Sequence, residues 1–152
     1  MYSAYHLCVA LDAEGEPIVC ETADLKANMR RLRANAEYAY AAHTSGRNSF
    51  AAGIAVCGMR EARPGDFGMF PLREEMVGAL CEVAARLCAF YQIEVEAASL
   101  MTHAEAALQD GYFGTGPEER WDIARLAPSP APLVPAETIA VGDYLRERIR
   151  IA

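Results

Sequence analysis

Leu100-Met101-Thr102-His103-Ala104-Glu105 runs into a loop with three glycines and one proline, and the chain then reads Arg120-Trp121-Asp122-Ile123. A histidine after an apolar run, followed at loop distance by an aspartate, is one way to bring two metal ligands together. Imidazole and carboxylate both suit zinc. His103 and Asp122 are therefore the candidate metal ligands, and Zn2+ is the expected cofactor. A catalytic zinc needs three protein ligands, with a fourth position left for water, and this stretch supplies two. If residues 98–102 form a strand ending at His103, Glu105 shares the histidine's face and could orient the imidazole.

Working outward, residues 5–11 (Tyr-His-Leu-Cys-Val-Ala-Leu) are apolar and favour a strand. Asp12-Ala13-Glu14-Gly15-Glu16 is a turn, and Pro17-Ile18-Val19-Cys20 returns, so a β-hairpin is expected. From Thr22 the pattern is helical, with Thr22 or Asp24 as cap and Leu25, Met29 and Leu32 at helical spacing. Residues 43–49 are a polar loop. Residues 51–58 are a continuous apolar run suited to a strand covered on both faces. Residues 72–91 give the clearest helix, with Glu74 and Glu75 in its first turn and an expected apolar stripe of Met76, Leu80, Val83, Leu87 and Phe90. Residues 127–135 are proline-rich and read as an extended, semi-rigid linker. A final amphipathic helix covers 136–151. Strands and helices interleave, so the expected class is α/β, a mixed central sheet flanked by helices.

The bulk numbers agree with one soluble domain. A chain of 152 residues buries roughly 68–70% of its unfolded surface on folding. The net charge of −7 argues against nucleic acid as the main partner, because phosphate binding needs a basic surface. No run approaches the roughly 18 apolar residues of a membrane span. The first residues lack a basic region followed by a long apolar one, so no secretory signal is expected. The five cysteines are odd in number and none pair at metal-knuckle spacing. Each is expected to be a small buried hydrophobe.

In order and spacing these pieces resemble the zinc-dependent N-acetylmuramoyl-L-alanine amidases of the phage-lysozyme and peptidoglycan-recognition superfamily. Tyr5-His6-Leu7-Cys8-Val9 with Asp12 to Gly15 is similar to the family's Tyr-His-aliphatic strand and turn. Ala42-His43-Thr44, Gly46, Asn48 and Gly53-Ile54-Ala55-Val56 resemble its His-x-x-Gly-x-Asn loop and the strand after it. Thr102-His103-Ala104-Glu105 and Trp121-Asp122-Ile123 resemble its late ligand segments, and Phe70-Pro71-Leu72 opens a long helix as in phage members.

The resemblance implies an amidase-like domain over residues 1–127, a linker at 128–135 and a C-terminal helix at 136–152. It implies hydrolysis of the amide between N-acetylmuramic acid and L-alanine by zinc-activated water, with bacterial peptidoglycan as partner and the cell wall as place of action. His103 and Asp122 would be zinc ligands. Tyr5 would lie beside the metal-bound water, and Arg120 would help stabilise the tetrahedral intermediate, with Glu105 as a supporting catalytic group. His43 and Asn48 would line the muropeptide groove. One departure stands out. Family members carry a first strand, a first helix and a first zinc histidine ahead of the Tyr-His strand, and this sequence starts at Met1, four residues before Tyr5. Three readings stay open: a longer protein, substitution by His6 or His43, or an incomplete site in a muropeptide-binding module. A missing strand would expose a sheet edge. Cover by residues 133–151 or by a second copy in a homodimer is the expected compensation.

Overall fold

A computed structural model describes residues 5–25 and 41–152. The helix expected beyond Leu25 lies outside the described residues. The described residues form three strands and three helices, and the chain divides into two compact units. The first holds residues up to Cys57 together with Glu75–Leu80 of a helix, and the second holds the rest.

In the first unit, β1 (Leu7–Leu11) pairs antiparallel with β2 (Pro17–Glu21), from Leu7↔Glu21 to Leu11↔Pro17. The turn between them is built by Asp12, whose Oδ1 accepts the N–H groups of Glu14 at 3.0 Å and Glu16 at 2.8 Å. Gly15 takes φ 88° there, a left-handed conformation that glycine adopts without a Cβ clash. β3 (Ile54–Val56) runs parallel to β1 in register Leu7↔Ile54, giving the order β2-β1-β3. The central strand carries the fully buried Val9, while β2 is exposed along its length. β3 is shorter and only half-buried. This corrects the expected doubly covered strand: β3 is only half-buried and, among the described strands, pairs with β1.

The long helix α1 spans Glu74–Tyr91 and ends at Gln92 in the left-handed conformation, whose N–H returns to the Cys88 carbonyl. Its buried stripe is Met76, Val77, Cys81, Ala84 and Cys88, whereas Phe90 is 79% exposed. The expected stripe was out of phase by about one position. Cys81 and Cys88 are small enough to fill the buried side, as expected of them, but Cys20 and Cys57 are exposed.

In the second unit, residues 98–102 are not a strand. Ser99 and Leu100 fold back on Glu96 through their N–H groups at 3.2 and 2.9 Å. The helix α2 then starts at His103 and runs His103–Asp110. Its start is a reciprocal capping box. Thr102 Oγ1 accepts the Glu105 N–H at 3.1 Å, and Glu105 Oε2 accepts the Thr102 N–H at 2.8 Å.

The last helix, α3 (Pro135–Ile151), packs on α2 through a buried ion pair. Arg146 Nη2 lies 2.7 Å from Glu105 Oε1, and its Nη1 lies 3.0 Å from Oε2. The same guanidinium also donates to the Leu100 carbonyl at 2.9 Å and to Asp143 Oδ1 at 2.9 Å. The two side chains are 4% and 10% exposed, so the pair is desolvated and stands only because the fork geometry satisfies it. Gly142 makes the room: a Cβ there would sit 2.1 Å from Glu105 Oε1.

The proline-rich segment before α3 is pinned by a second buried arginine. Arg125, 2% exposed, donates to the carbonyls of Pro64, Ser129, Ala131 and Pro132 and pairs with Glu137 Oε2 at 2.6 Å. A chain without N–H groups at its prolines offers carbonyls, and a five-donor guanidinium collects them.

Removing Arg146 leaves Glu105 charged and buried. Arg146→Ala should cost about 3–5 kcal/mol of stability, and Thr102→Ala, which removes one cap hydrogen bond, about 1 kcal/mol. Urea unfolding of the three proteins checks the ranking.

Candidate functional site

His103 is the first residue of α2, so its side chain stands at the helix start rather than at a strand end. Its partner arrives by way of the glycine-rich loop. Arg120 N–H donates to the Tyr112 carbonyl at 3.0 Å, and the Gly114 N–H donates to the Arg120 carbonyl at 3.2 Å, which closes the loop on itself. Inside it Glu119 Oε2 accepts the Gly116 N–H at 2.6 Å. The next residues then lie against α2: the Ala104 N–H donates to the Asp122 carbonyl at 3.1 Å. Ile123 is held at φ 52° by the tight turn in which Ala124 N–H reaches the Trp121 carbonyl at 2.7 Å. A β-branched residue pays steric strain there, and this strain sits directly after Asp122.

The result is a close pair. His103 Nδ1 lies 2.8 Å from Asp122 Oδ2, with side chains 17% and 52% exposed. The approach is off the line of an N–H···O hydrogen bond, and Nδ1 is buried with no in-line partner among the described residues. The Tyr112 ring stands edge-on to the imidazole with centroids 6.3 Å apart. Trp121, the residue before Asp122, packs on buried Phe67 at 6.2 Å. It also forms one wall of an open cleft of about 940 Å3 that includes Arg63, Phe113, Glu119, Pro130 and Pro132.

As a zinc site this pair fits in part. An imidazole nitrogen and a carboxylate oxygen are suitable donors, one of them open to solvent. Two ligands on a tetrahedral zinc, each about 2.0–2.1 Å from it, stand roughly 3.3 Å apart, so the pair needs to open by about half an ångström. The number of donors falls short: among the described residues no group of three His, Cys, Asp or Glu is placed to hold a metal.

Glu105 is not on the histidine's face. On a helix, residues two apart do not face each other, and both Glu105 oxygens are taken by Arg146 and the Thr102 N–H. That corrects its expected role of orienting His103 from a shared strand face. Arg120 is exposed, and its Nη1 donates to the carbonyls of Glu119 at 2.7 Å and Pro117 at 3.4 Å, so its charge is turned onto its own loop.

Tyr5, His43 and Asn48 belong to the first unit. Tyr5 is half-buried, and its carbonyl accepts from the Thr22 hydroxyl at 2.6 Å. Asn48 organises the loop, since its Oδ1 accepts the N–H groups of His43 at 2.9 Å and Thr44 at 2.8 Å. His43 is 7% exposed, with Nε2 3.0 Å from the Ala51 carbonyl and Nδ1 3.1 Å from Thr44 Oγ1. The ring therefore carries its proton on Nε2 and accepts from Thr44. Gly53 is required beside it, because a Cβ there would lie 2.5 Å from the His43 ring.

The reading from sequence alone missed His6 as a core group. It is fully buried, its ring is 5.4 Å from that of His43, and its Nδ1 accepts the Gly53 N–H at 3.0 Å. The proton then sits on Nε2, which has no partner among the described residues. Burial lowers the His6 pKa below 6.5, the neighbouring His43 lowers it further, and the Asp24 carboxylate opposes both.

Comparison with protein-family models, with curated proteins and with solved structures gave no match.

The folded chain keeps His6 neutral to lower pH than the unfolded chain does. Below about pH 6.5 the unfolded state therefore binds more protons, and stability falls as the pH drops through that region. His6→Gln removes this contribution. Urea midpoints measured near pH 7.5 and near pH 5 should fall less in the variant than in the wild type. An equal fall in both would show that His6 is not the titrating group.

Proposed function

We propose that this chain acts on bacterial peptidoglycan as a zinc-dependent amidase, cleaving the bond between N-acetylmuramic acid and L-alanine. The observation that carries the reading is the convergence of His103 and Asp122 to 2.8 Å from two separate segments. An imidazole and a carboxylate held together at a helix start, the carboxylate half-open to water, form a pair of donors for one cation. Among the described residues no third donor stands beside the pair, and a second copy of the chain would be one source of it.

Zinc, when bound, lowers the pKa of its water to about 7 and polarises the scissile carbonyl. The chain's own residues do the rest. His103 and Asp122 bind and orient the ion. The cleft walled by Trp121 and Phe113 offers apolar and aromatic surface to a sugar ring or stem peptide. Arg120 has the charge to stabilise an oxyanion once it leaves the carbonyls of Pro117 and Glu119. Glu105 takes no part in the chemistry; it starts the helix that carries His103.

A second reading is favoured by one observation, the lack of a third donor among the described residues. On it the chain recognises muropeptide without cutting it. The two readings part on metal and turnover.

Elemental analysis of zinc-reloaded protein should give about one zinc per chain, falling to near zero in His103→Ala and in Asp122→Ala. The same variants should lose release of L-alanine-terminated stem peptide from purified peptidoglycan. Wild type without zinc that still binds muropeptide would favour the binding module, and wild type with neither property would sink both readings.

A further inference from the structure

The register of the hairpin sets two cysteines face to face: Cys8 of β1 stands directly opposite Cys20 of β2. The ladder around them fixes the kind of pair. Thr22 N–H donates to the His6 carbonyl at 2.8 Å, and Asp12 N–H donates to the Glu16 carbonyl at 2.9 Å. Hydrogen-bonded and open pairs alternate along antiparallel strands. Cys8 and Cys20 lie two residues inside His6 and Thr22, so theirs is a hydrogen-bonded pair, with Cα atoms about 5.5 Å apart. Disulfides usually span a Cα separation of about 4.4–6.8 Å. The pleat turns both side chains to one face, opposite the face of buried Val9. On its other side Cys8 is aligned with Ala55 of β3, and Cys57 follows roughly 6.6 Å further along that strand. Cys8 is half-buried and Cys20 is open to solvent.

We propose that Cys8 and Cys20 are a reversible disulfide site, oxidised by a low-molecular-weight disulfide of the glutathione class and entered through Cys20. Reversibility follows from the same register. Opposed Cβ atoms on paired strands stand roughly 4.5–5.5 Å apart, whereas a disulfide brings them to about 3.5–4.5 Å. Closing the bond draws the strands together at this pair, and a disulfide held under that tension is more easily reduced than a relaxed one. The bond latches β2, exposed along its length, onto the central strand until a thiol pool reopens it. The proposal stands apart from the amidase reading, since neither cysteine is a metal ligand there.

The order of events follows from exposure. Cys20 gives up its proton, and its thiolate attacks the disulfide RSSR, forming Cys20–S–SR and releasing one RS–, which takes that proton. Cys8 then attacks the Cys20 sulfur of this mixed disulfide. The Cys8–Cys20 bond forms, the second RS– leaves, and it takes the proton that Cys8 gives up. One RSSR is reduced to two RSH as two protein thiols are oxidised to one disulfide. Burial, with the neighbouring Cys57, raises the Cys8 pKa, while the Thr22 hydroxyl pulls the other way. A half-buried thiol held protonated is a poor first nucleophile. Directly across the ladder from a mixed disulfide, proximity makes it the resolving group.

The test equilibrates the reduced full chain with mixtures of oxidised and reduced glutathione, quenches by alkylation, and reads intact mass and peptide map. The expected result is a Cys8–Cys20 cross-linked peptide, with no glutathione retained on either residue, and its loss again in excess reduced glutathione. Cys8→Ser should trap one glutathione on Cys20, and Cys57→Ser should still form the Cys8–Cys20 link. A Cys8–Cys57 link in its place, a stable glutathione adduct on Cys20 of the wild type, or no cross-link at any glutathione ratio would each overturn the proposal. So would a Cys8–Cys20 link that survives excess reduced glutathione. The wild-type maps decide the matter even if Cys8→Ser fails to fold.

Discussion

The second unit depends on a desolvated charge pair, Arg146 with Glu105. Each ion alone would cost several kcal/mol to bury, so neither side chain has a tolerable place without the other. The fork of Arg146 meets both carboxylate oxygens, and its remaining donors reach Leu100 and Asp143. Glu105 in turn caps the helix through the Thr102 N–H. One carboxylate thus closes the start of α2 and joins it to α3. His103, the first residue of that helix, inherits its position from the arrangement. The missing Cβ of Gly142 is the local condition for it.

A different economy holds the first unit together. Here a loop, 43–53, is ordered by neutral hydrogen bonds: Asn48 Oδ1 accepts two backbone N–H groups, and two buried imidazoles pair with the backbone of Ala51 and Gly53. Gly53 gives its N–H to one imidazole and its empty side-chain space to the other. The parallel strand β3 follows immediately, so loop and sheet share one scaffold. Its weak point is His6, whose Nε2 has no partner among the described residues and whose pKa burial lowers.

Much of this was legible in the residues. Asp12 and Gly15 announce the hairpin, the 54–56 run is a strand, and α1 and α3 lie within two residues of where periodicity and proline place them. The misreadings have physical causes. Residues 98–102 carry strand-like apolar character, but the Thr102-x-x-Glu105 capping box is a helix-start signal, and local hydrogen bonds around Ser99 use the backbone that a strand would need. The α1 stripe shifted because alanine and cysteine, not the larger Leu80 and Phe90, occupy the tightest contacts. Arg125 and Arg146 could not be told from surface arginines, since their burial is decided by partners many residues away. The meeting of His103 with Asp122 was anticipated from the loop between them. The meeting of Cys8 with Cys20 depends on strand register, which spacing alone does not reveal.

The central claim is that His103 and Asp122 are a metal-binding pair rather than a structural contact. The direct measurement is anomalous diffraction at the zinc edge from crystals of the zinc-loaded chain. The account predicts a peak about 2.0–2.2 Å from both His103 Nδ1 and an Asp122 carboxylate oxygen, with a third donor completing the site. Zinc located elsewhere, or an unmetallated His103–Asp122 pair in crystals grown with excess zinc, would contradict it.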